Sequence, residues 1–515
     1  MSNNSSDQIP TIIPGEKSTS SPKEDDQSKL ATSYSKTASS FYNQGEYQKA
    51  LEYHLKALTI RKSLSQETHR DAVATSYFDI GKTYDNLGEY QKAIDFHLEA
   101  LDIRRSINGE RHPDIVESYN RIGLVYDNME EYSKAKEFHL KSLEINVSIY
   151  GENHIETSTS YNNLGLAYNN LGEYQKALEY HQKALEIRLP LYKEEPSPEI
   201  AVSYNNLAEV YMNLEDYERA LEYHLKSLAI KQNLYEEQNG SIAISYNNIA
   251  AVYRKLQNYE KALEYHLKAL EIKKLIYKEG HPSLALAYRN LATAYENLDQ
   301  YEKAIESFTK SLEIRISLHG EINSKVATLF YDIAEMHESL QDYRKAIEFF
   351  HKSLEIRKSL YGEMHPDVLN LYNCLAMMHE NLGQDKEALK YREKALYLTI
   401  SLEGEINREV QILYDDLVVR YHEVKEYQKA IAFLLKSIKI ARNIYGEDHP
   451  LTEDLYTLSE ILYHDHKKHQ PERKYDLVSV DVNQFISKEL LGKRNADLEN
   501  LKENSEPDVE KKIKQ

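Results

Sequence analysis

Residues 160–187 read SYNNLGLAYNNLGEYQKALEYHQKALEI, and close variants of this stretch recur along the chain. Its first half carries Tyr161, Leu164 and Tyr168 at positions i, i+3 and i+7, which is the spacing of one apolar stripe on a helix. A second apolar stripe with helical spacing follows Gly172, a residue that can adopt the left-handed conformation that ends a helix. The stretch therefore predicts a helical hairpin.

The hairpin recurs with a period of 42 residues, with two steps of 43. An alanine in the second half never varies among the copies: Ala50, Ala93, Ala135, Ala177, Ala220, Ala262, Ala304, Ala346, Ala388 and Ala430. A large aromatic residue opens each copy 16 residues earlier: Tyr34, Tyr77, Tyr119, Tyr161, Tyr204, Tyr246, Tyr288, Phe330, Tyr372 and Tyr414. An eleventh opening, Tyr456, has no second half. The sequence thus predicts ten hairpins and a closing helix.

Small residues recur where neighbouring helices would cross. Seven residues after each invariant alanine stands Ala or Ser, and most first halves carry Gly or Ala four residues after the opening aromatic residue. Small side chains let helix axes approach toward the lower end of the ~8–10 Å range. The hairpins are therefore expected to stack closely along the chain.

Composition excludes several classes of partner. The formal net charge of -19 leaves no basic field for nucleic acid or for an anionic membrane surface. Cys374 is the single cysteine, which favours a reducing compartment, and a cytoplasmic location is predicted. Residues 1–28 lack the pattern of a secretory signal, and no apolar run approaches the roughly 20 residues that span a bilayer.

The order of the recurring residues resembles the tetratricopeptide repeat. Each copy has an aromatic residue followed by Leu-Gly/Ala and Tyr, then Gly-x-Tyr-x-x-Ala, and finally a small residue with Leu-x-Ile. The 42-residue period, the opening YNNLA at 204–208 and the seam HPD at 112–114 are similar to the kinesin light chain subgroup of that family.

The resemblance implies an all-α, right-handed superhelical solenoid of ten helix-turn-helix repeats plus a C-terminal capping helix, spanning residues 29–463. Residues 1–28 are predicted to be a disordered tail, and residues 464–515 a charged tail with a short helical segment near 483–491. Kinesin light chains carry an N-terminal heptad coiled coil that binds the motor heavy chain. Because residues 1–28 contain no heptad, binding to a motor heavy chain is not expected.

The resemblance also implies that polar positions shortly after each opening aromatic residue face the concave groove. The candidate peptide-binding residues are Asn162, Asn163, Asn205, Asn206, Asn247, Asn248, Arg289, Asn290, Arg121 and Arg254. An amide both donates and accepts hydrogen bonds, so a ladder of amides can hold a peptide backbone of any sequence. The middle repeats are the least acidic, which favours an acidic segment there. The alternative is a solvated face whose amides join neighbouring helices.

Six histidines share one position in successive second helices: His54, His97, His139, His181, His224 and His266. Zinc ligands must converge within ~2.0–2.3 Å of one ion, whereas these histidines lie on different helices. Phe308 and Phe350 take the same position in later repeats, so packing is predicted and no metal site. No P-loop, zinc-protease, serine-hydrolase or Rossmann motif is present, so no catalytic residue, cofactor or enzymatic activity is predicted.

These observations favour a non-enzymatic scaffold or adaptor that binds protein or peptide segments in the groove, in the manner of the cargo-binding half of kinesin light chains. Two other classes stay open. One is an architectural or self-assembling solenoid, and the other is a regulatory or sensor module whose effector lies on another chain.

Overall fold

The computed structural model describes residues 22–64, 66–193 and 195–469. Within these residues the regular structure is helical, with no strand. The first helices of the repeats are α1 (Pro22–Asn43), α3 (Gln66–Asn86), α5 (Pro113–Asn128), α7 (Ile155–Asn170), α9 (Pro198–Asn213), α11 (Gly240–Lys255), α13 (Pro282–Glu296), α15 (Ser324–Ser339), α17 (Pro366–Asn381) and α19 (Arg408–Glu423). The second helices are α2 (Tyr47–Ser63), α4 (Tyr90–Asn108), α6 (Tyr132–Tyr150), α8 (Tyr174–Leu191), α10 (Tyr217–Leu234), α12 (Tyr259–Ile276), α14 (Tyr301–His319), α16 (Tyr343–Tyr361), α18 (Asp385–Glu403) and α20 (Tyr427–Tyr445), and α21 (Pro450–His469) follows them. The predicted ten hairpins and closing helix are confirmed.

The chain ends differ from the predicted boundaries. Helix α1 begins at Pro22, inside the range 1–28 that was expected to be a tail. Proline suits the first turn of a helix, and Glu24 and Asp25 interact favourably with the helix N-terminus. Helix α21 continues to His469, past the predicted boundary at 463. The rest of the N-terminal tail and residues 470–515, including the segment 483–491, lie outside the described residues.

The helices pack in chain order within two compact units, residues 1–272 and 273–515, whose boundary falls inside α12. In the first unit each first helix from α1 to α9 packs against the second helix that follows it, and α2, α4, α6, α8 and α10 also pack against the next first helix. The same alternation runs from α13 to α21 in the second unit. Each helix therefore lies between its own partner and the neighbouring repeat.

The seams between repeats are closed by caps. His154 precedes α7, and its Nδ1 accepts a hydrogen bond of 3.2 Å from the backbone N–H of Glu156. Histidine caps α5, α13 and α17 in the same way, and Asn239 Oδ1 accepts the equivalent bond, 2.8 Å, from Ser241 in α11. Asparagine is a usual N-cap because its side chain satisfies a free helix N–H. The histidine of the HPD seam therefore acts as a helix cap.

The invariant alanines lie inside the packed hairpins, since none of them is more than 2% exposed. In the first six repeats a histidine stands four residues after this alanine, on the same face of the second helix. A Cβ built on Gly165 would lie 2.7 Å from the His181 ring, and Gly81 and Gly123 meet His97 and His139 in the same way. The rings of His97, His139 and His181 therefore fill the space that a side chain at Gly81, Gly123 or Gly165 would need.

Replacing Ala177 with leucine is expected to destabilise the first unit by about 2 kcal/mol, because the larger side chain overpacks a contact that has no free volume. Thermal unfolding followed by circular dichroism measures the loss. Gln175→Leu on the exposed side of the same helix is the control, and equal stability of the two variants would contradict the assigned packing.

Buried polar contacts join successive repeats in the first unit. Arg188 in α8 donates to Ser203 Oγ at 2.8 Å and to the Glu199 carbonyl at 3.1 Å, both in α9, and to Ser158 Oγ at 3.1 Å in α7. Arg104 bonds Ser118 and the Asp114 carbonyl in the same way. We call this contact the inter-repeat clamp. Arg61, Asn146 and Lys231 form it in the other repeats of this unit.

Candidate functional site

One face of each first helix stays accessible in the stack. In α9, Leu207 and Val210 are buried, whereas Val202, Glu209 and Asn213 are exposed and Asn205 is half-buried. These accessible residues lie two before and one, five and nine after the opening Tyr204. We call the equivalent positions of all repeats, with the residues two and eight after the opening, the first-helix face. It contains all ten candidate residues.

The amides at this face bond each other between neighbouring repeats. Asn206 donates to Asn162 Oδ1 at 2.8 Å, and Asn248 donates to Asn205 Oδ1 at 3.1 Å. Asn162 and Asn206 are only 7% and 9% exposed. Their amides are satisfied inside the stack and are not presented to a ligand. For Asn162 and Asn206 the structure therefore agrees with the alternative interpretation, in which the amides join neighbouring helices and do not bind a peptide.

A second row of such bonds lies about two helical turns further along. Asn213 donates to Asn169 Oδ1 at 2.9 Å, and Asn128 donates to Asp85 Oδ1 at the same distance. In both pairs the donor stands nine positions after the opening residue of its repeat, and the acceptor stands eight positions after the opening residue of the preceding repeat. The sequence signal was an asparagine recurring at that ninth position, which the spacing of the apolar stripes did not single out.

The other candidate residues keep accessible surface. Asn163, Asn205, Asn247, Asn248, Asn290 and Arg121 are half-buried, and Arg254 and Arg289 are exposed. Asn247 Oδ1 lies 3.0 Å from the ring nitrogen of His266, and Arg289 forms an ion pair with Asp332 at 3.5 Å. Arg289 and Asn290 belong to the second unit, and the remaining candidates belong to the first.

Sequence reasoning missed an apolar component of the face. Val202 is 45% exposed and Ile244 is 56% exposed, each two residues before an opening tyrosine. Their helices, α9 and α11, are joined by the Asn205–Asn248 bond. On α11, Arg254 and Lys255 are exposed cations. A signal was available, because a β-branched or aliphatic residue stands outside the buried stripe in both helices.

The second unit carries a different charge on its first-helix face. Burial raises the pKa of Glu296, Asp332, Glu335 and Glu338, and repulsion by neighbouring carboxylates of this group acts in the same direction for Glu296 and Glu335. Arg289 partly offsets the effect at Asp332. This stretch therefore disfavours an acidic ligand.

The histidines at the shared second-helix position are buried in the first unit. Among the residues that the structure describes, no three His, Cys, Asp or Glu side chains are grouped as metal ligands. In the same part of the chain, no helix has both the length and the apolar character required to cross a bilayer.

Models of the tetratricopeptide repeat match residues 29–106, 85–146, 114–189, 199–274, 241–317 and 325–404, and a second model of that repeat matches residues 413–451. The chain belongs to the tetratricopeptide repeat family. Tetratricopeptide repeats indicate a protein-interaction scaffold, and proteins built from them are typically non-enzymatic.

Solved structures with similar folds include other tetratricopeptide-like proteins. BtubC (BKLC) from P. vanneervenii is 24% identical, with 50% of this chain and 93% of that chain covered and a TM-score of 0.38. A putative kinesin light chain with nearly identical repeats from Podosopora anserina is 20% identical over 39% of this chain and 96% of that one, with a TM-score of 0.37. The apo quorum sensor NprR from B. thuringiensis is 16% identical over 72% and 99%, with a TM-score of 0.45. No curated protein matches the chain.

Proposed function

We propose that this tetratricopeptide repeat protein is a non-enzymatic adaptor that binds peptide segments of partner proteins along its first-helix face, in the style of the cargo-binding half of kinesin light chains. The observation that carries the proposal is the contrast between constant and variable positions. The packing positions repeat the same small residues, whereas the partly accessible position two after the opening aromatic residue changes from Asp79 to Arg121 to Asn163 in three consecutive repeats. Packing alone does not require that variation.

The fifth and sixth repeats offer the strongest contacts for a ligand. Val202 and Ile244 can bury apolar side chains of a bound segment, and each buried CH₂ group contributes about 0.8 kcal/mol. Arg254 and Lys255 can pair with acidic residues of the same segment. We therefore propose an acidic segment with aliphatic residues, held in a reducing compartment such as the cytoplasm.

The accessible amides have a supporting role in this proposal. Asn205 and Asn248 already bond each other, but each amide retains one donor or acceptor for a peptide backbone. Asn163 on α7 and Asn247 on α11 are half-buried, and α9 lies between their two helices in the series of first helices. They can contribute contacts that do not depend on the side chains of the ligand.

Reversing the two cations is the direct test. Peptides selected from a random display library on the full-length protein are titrated by fluorescence anisotropy. Arg254→Glu together with Lys255→Glu is expected to raise the Kd of acidic peptides at least tenfold, because two attractive contacts become repulsive. Raised salt should weaken binding to the original protein as well.

The matched control carries Lys261→Glu and Lys268→Glu, which change the net charge equally on the second helix of the same repeat. It should bind within twofold of the original protein. Equal weakening by both variants would show that net charge, and not the first-helix face, determines affinity. Failure to select any peptide would argue against the adaptor proposal itself.

A further inference from the structure

A cleft of about 390 Å³ opens at the turn between α17 and α18 in the second unit. It is lined by Gly383, Gln384, Asp385, Lys386, Glu387 and Val424. Val424 belongs to the corresponding turn of the next repeat, between α19 and α20. The cleft therefore lies between two adjacent turns on the edge where first helices end.

The other nine repeats fill the equivalent position with a tyrosine ring: Tyr47, Tyr90, Tyr132, Tyr174, Tyr217, Tyr259, Tyr301, Tyr343 and Tyr427. Tyr174 and Leu214, from the next turn, pack against one buried cluster. The ring of Tyr217 and Leu256 repeat this arrangement one repeat later. Asp385 stands where Tyr174 stands, and Val424 where Leu214 stands. The cleft is thus a tyrosine site that lacks its own ring.

We propose that Tyr475, from the segment after α21, occupies this cleft. Consecutive helices alternate in direction, so α17, α19 and α21 run the same way and end at the same edge. The chain leaves α21 at His469, one repeat beyond Val424. The six residues to Tyr475 span up to about 20 Å when extended, which is sufficient to cross one repeat.

Charge supports the same occupant. Arg473 and Lys474 directly precede Tyr475, whereas the exposed residues that line the cleft include two acids, Asp385 and Glu387, and one cation, Lys386. Glu387 also pairs with Lys390 outside the lining at 2.6 Å, so Asp385 is the main acidic contact for the segment. Exposed ion pairs contribute little energy but orient an approaching segment. Tyr475 is the sole tyrosine of residues 470–515, and the other aromatic residue there, Phe485, has no neighbouring pair of cations before it.

Amide hydrogen exchange of the full-length chain tests the proposal. Peptides that cover residues 472–478 should exchange at least tenfold more slowly than an unstructured chain. Asp385→Tyr restores the ring that nine repeats carry, so it should fold normally and release the segment. Tyr475→Ala should release it too, whereas Tyr475→Phe should retain the protection.

Phe485→Ala is the matched control and should leave the protection unchanged. The proposal is overturned if residues 472–478 exchange as an unstructured chain in the original protein, or if Asp385→Tyr leaves their protection intact. Loss of protection in Phe485→Ala alone would assign the cleft to that ring and would also overturn it. None of these outcomes depends on peptide binding at the first-helix face of the first unit.

Discussion

Lowering the pH from 7.5 to 5 is expected to unfold the repeats of residues 22–272 while those of residues 273–469 stay folded. The cause is the row of buried histidines in the first unit. Burial lowers the pKa of His54, His181 and His224 to about 4 and that of His97 to about 3. Nearby cations lower these pKa values further. Lys82 and Arg61 act on His54, and Arg121, Arg104 and Lys82 act on His97. Arg188 acts on His181, and Lys231 acts on His224.

The direction of the effect follows from proton binding. The unfolded chain binds a proton at each histidine near pH 6.5, whereas the folded protein does so only near pH 3 to 4. The stability is therefore complete above pH 6.5 and is lost as the pH falls toward 4. At pH 5 the loss is about 2 kcal/mol for each of the four histidines. Together they approach the roughly 5–15 kcal/mol that stabilises a typical domain.

The second unit has no buried histidine with a lowered pKa at the corresponding second-helix position of its first two repeats. Phe308 and Phe350 are buried there and do not titrate. Burial also raises the pKa of Asp332, Glu335 and Asp415, so the folded unit binds protons more readily than the unfolded chain and gains stability as the pH falls. His337 and His351 have lowered pKa values and oppose this gain. The net response of the second unit is expected to be small.

Amide hydrogen exchange followed by mass spectrometry measures the unfolding of each unit separately. The exchange rates are corrected for the pH dependence of exchange in an unstructured chain. Replacing His54, His97, His181 and His224 together with phenylalanine should remove most of the acid response. Phenylalanine is a suitable replacement because two repeats already use it at this position. His112→Asn, at a half-buried helix cap outside the histidine row, is the control and should leave the response unchanged. Equal opening of both units at pH 5 would contradict the role of the histidine row.

The fold was predictable because the residues that determine the helices and the helix crossings lie close together in the sequence of each repeat. The stripe of Tyr161, Leu164 and Tyr168 and the small residues at crossings depend only on spacing along one chain. The missing ring at Asp385 is visible for the same reason, since nine other copies provide the reference. What such a pattern cannot give is the distance between helices of different repeats.

Which residues of the first-helix face are accessible depends on the distance between helices of neighbouring repeats. Asn162 and Asn163 look equivalent in sequence, but one is buried against Asn206 and the other keeps accessible surface. The next repeat reverses the outcome, because there the second amide, Asn206, is buried and the first, Asn205, keeps accessible surface. The apolar residues Val202 and Ile244 were overlooked because an exposed aliphatic side chain is ordinary on single helices. Their importance arises from neighbouring helices that carry them in register.

Replacing Arg188 with methionine is expected to destabilise the first unit by about 3 kcal/mol. The change keeps most of the side-chain volume but removes the donors of the inter-repeat clamp to Ser158, Ser203 and the Glu199 carbonyl. Arg188 is only 4% exposed, so water cannot replace these bonds. An orphaned buried acceptor costs roughly 1–3 kcal/mol. Ser203 retains its own bond to the Glu199 carbonyl, which limits the loss.

The equivalent position in the second unit should respond in the opposite way. Arg315 faces a repeat in which Leu329 stands at the serine position of the clamp, and its Nε has no hydrogen-bond partner. Arg315→Met should therefore be neutral or stabilise that unit by up to about 1 kcal/mol, because it removes a half-buried charge whose Nε has no hydrogen-bond partner. Urea unfolding with exchange read out in each unit measures both variants. A similar loss for Arg188→Met and Arg315→Met would mean that the arginine stem, and not the clamp, stabilises the stack.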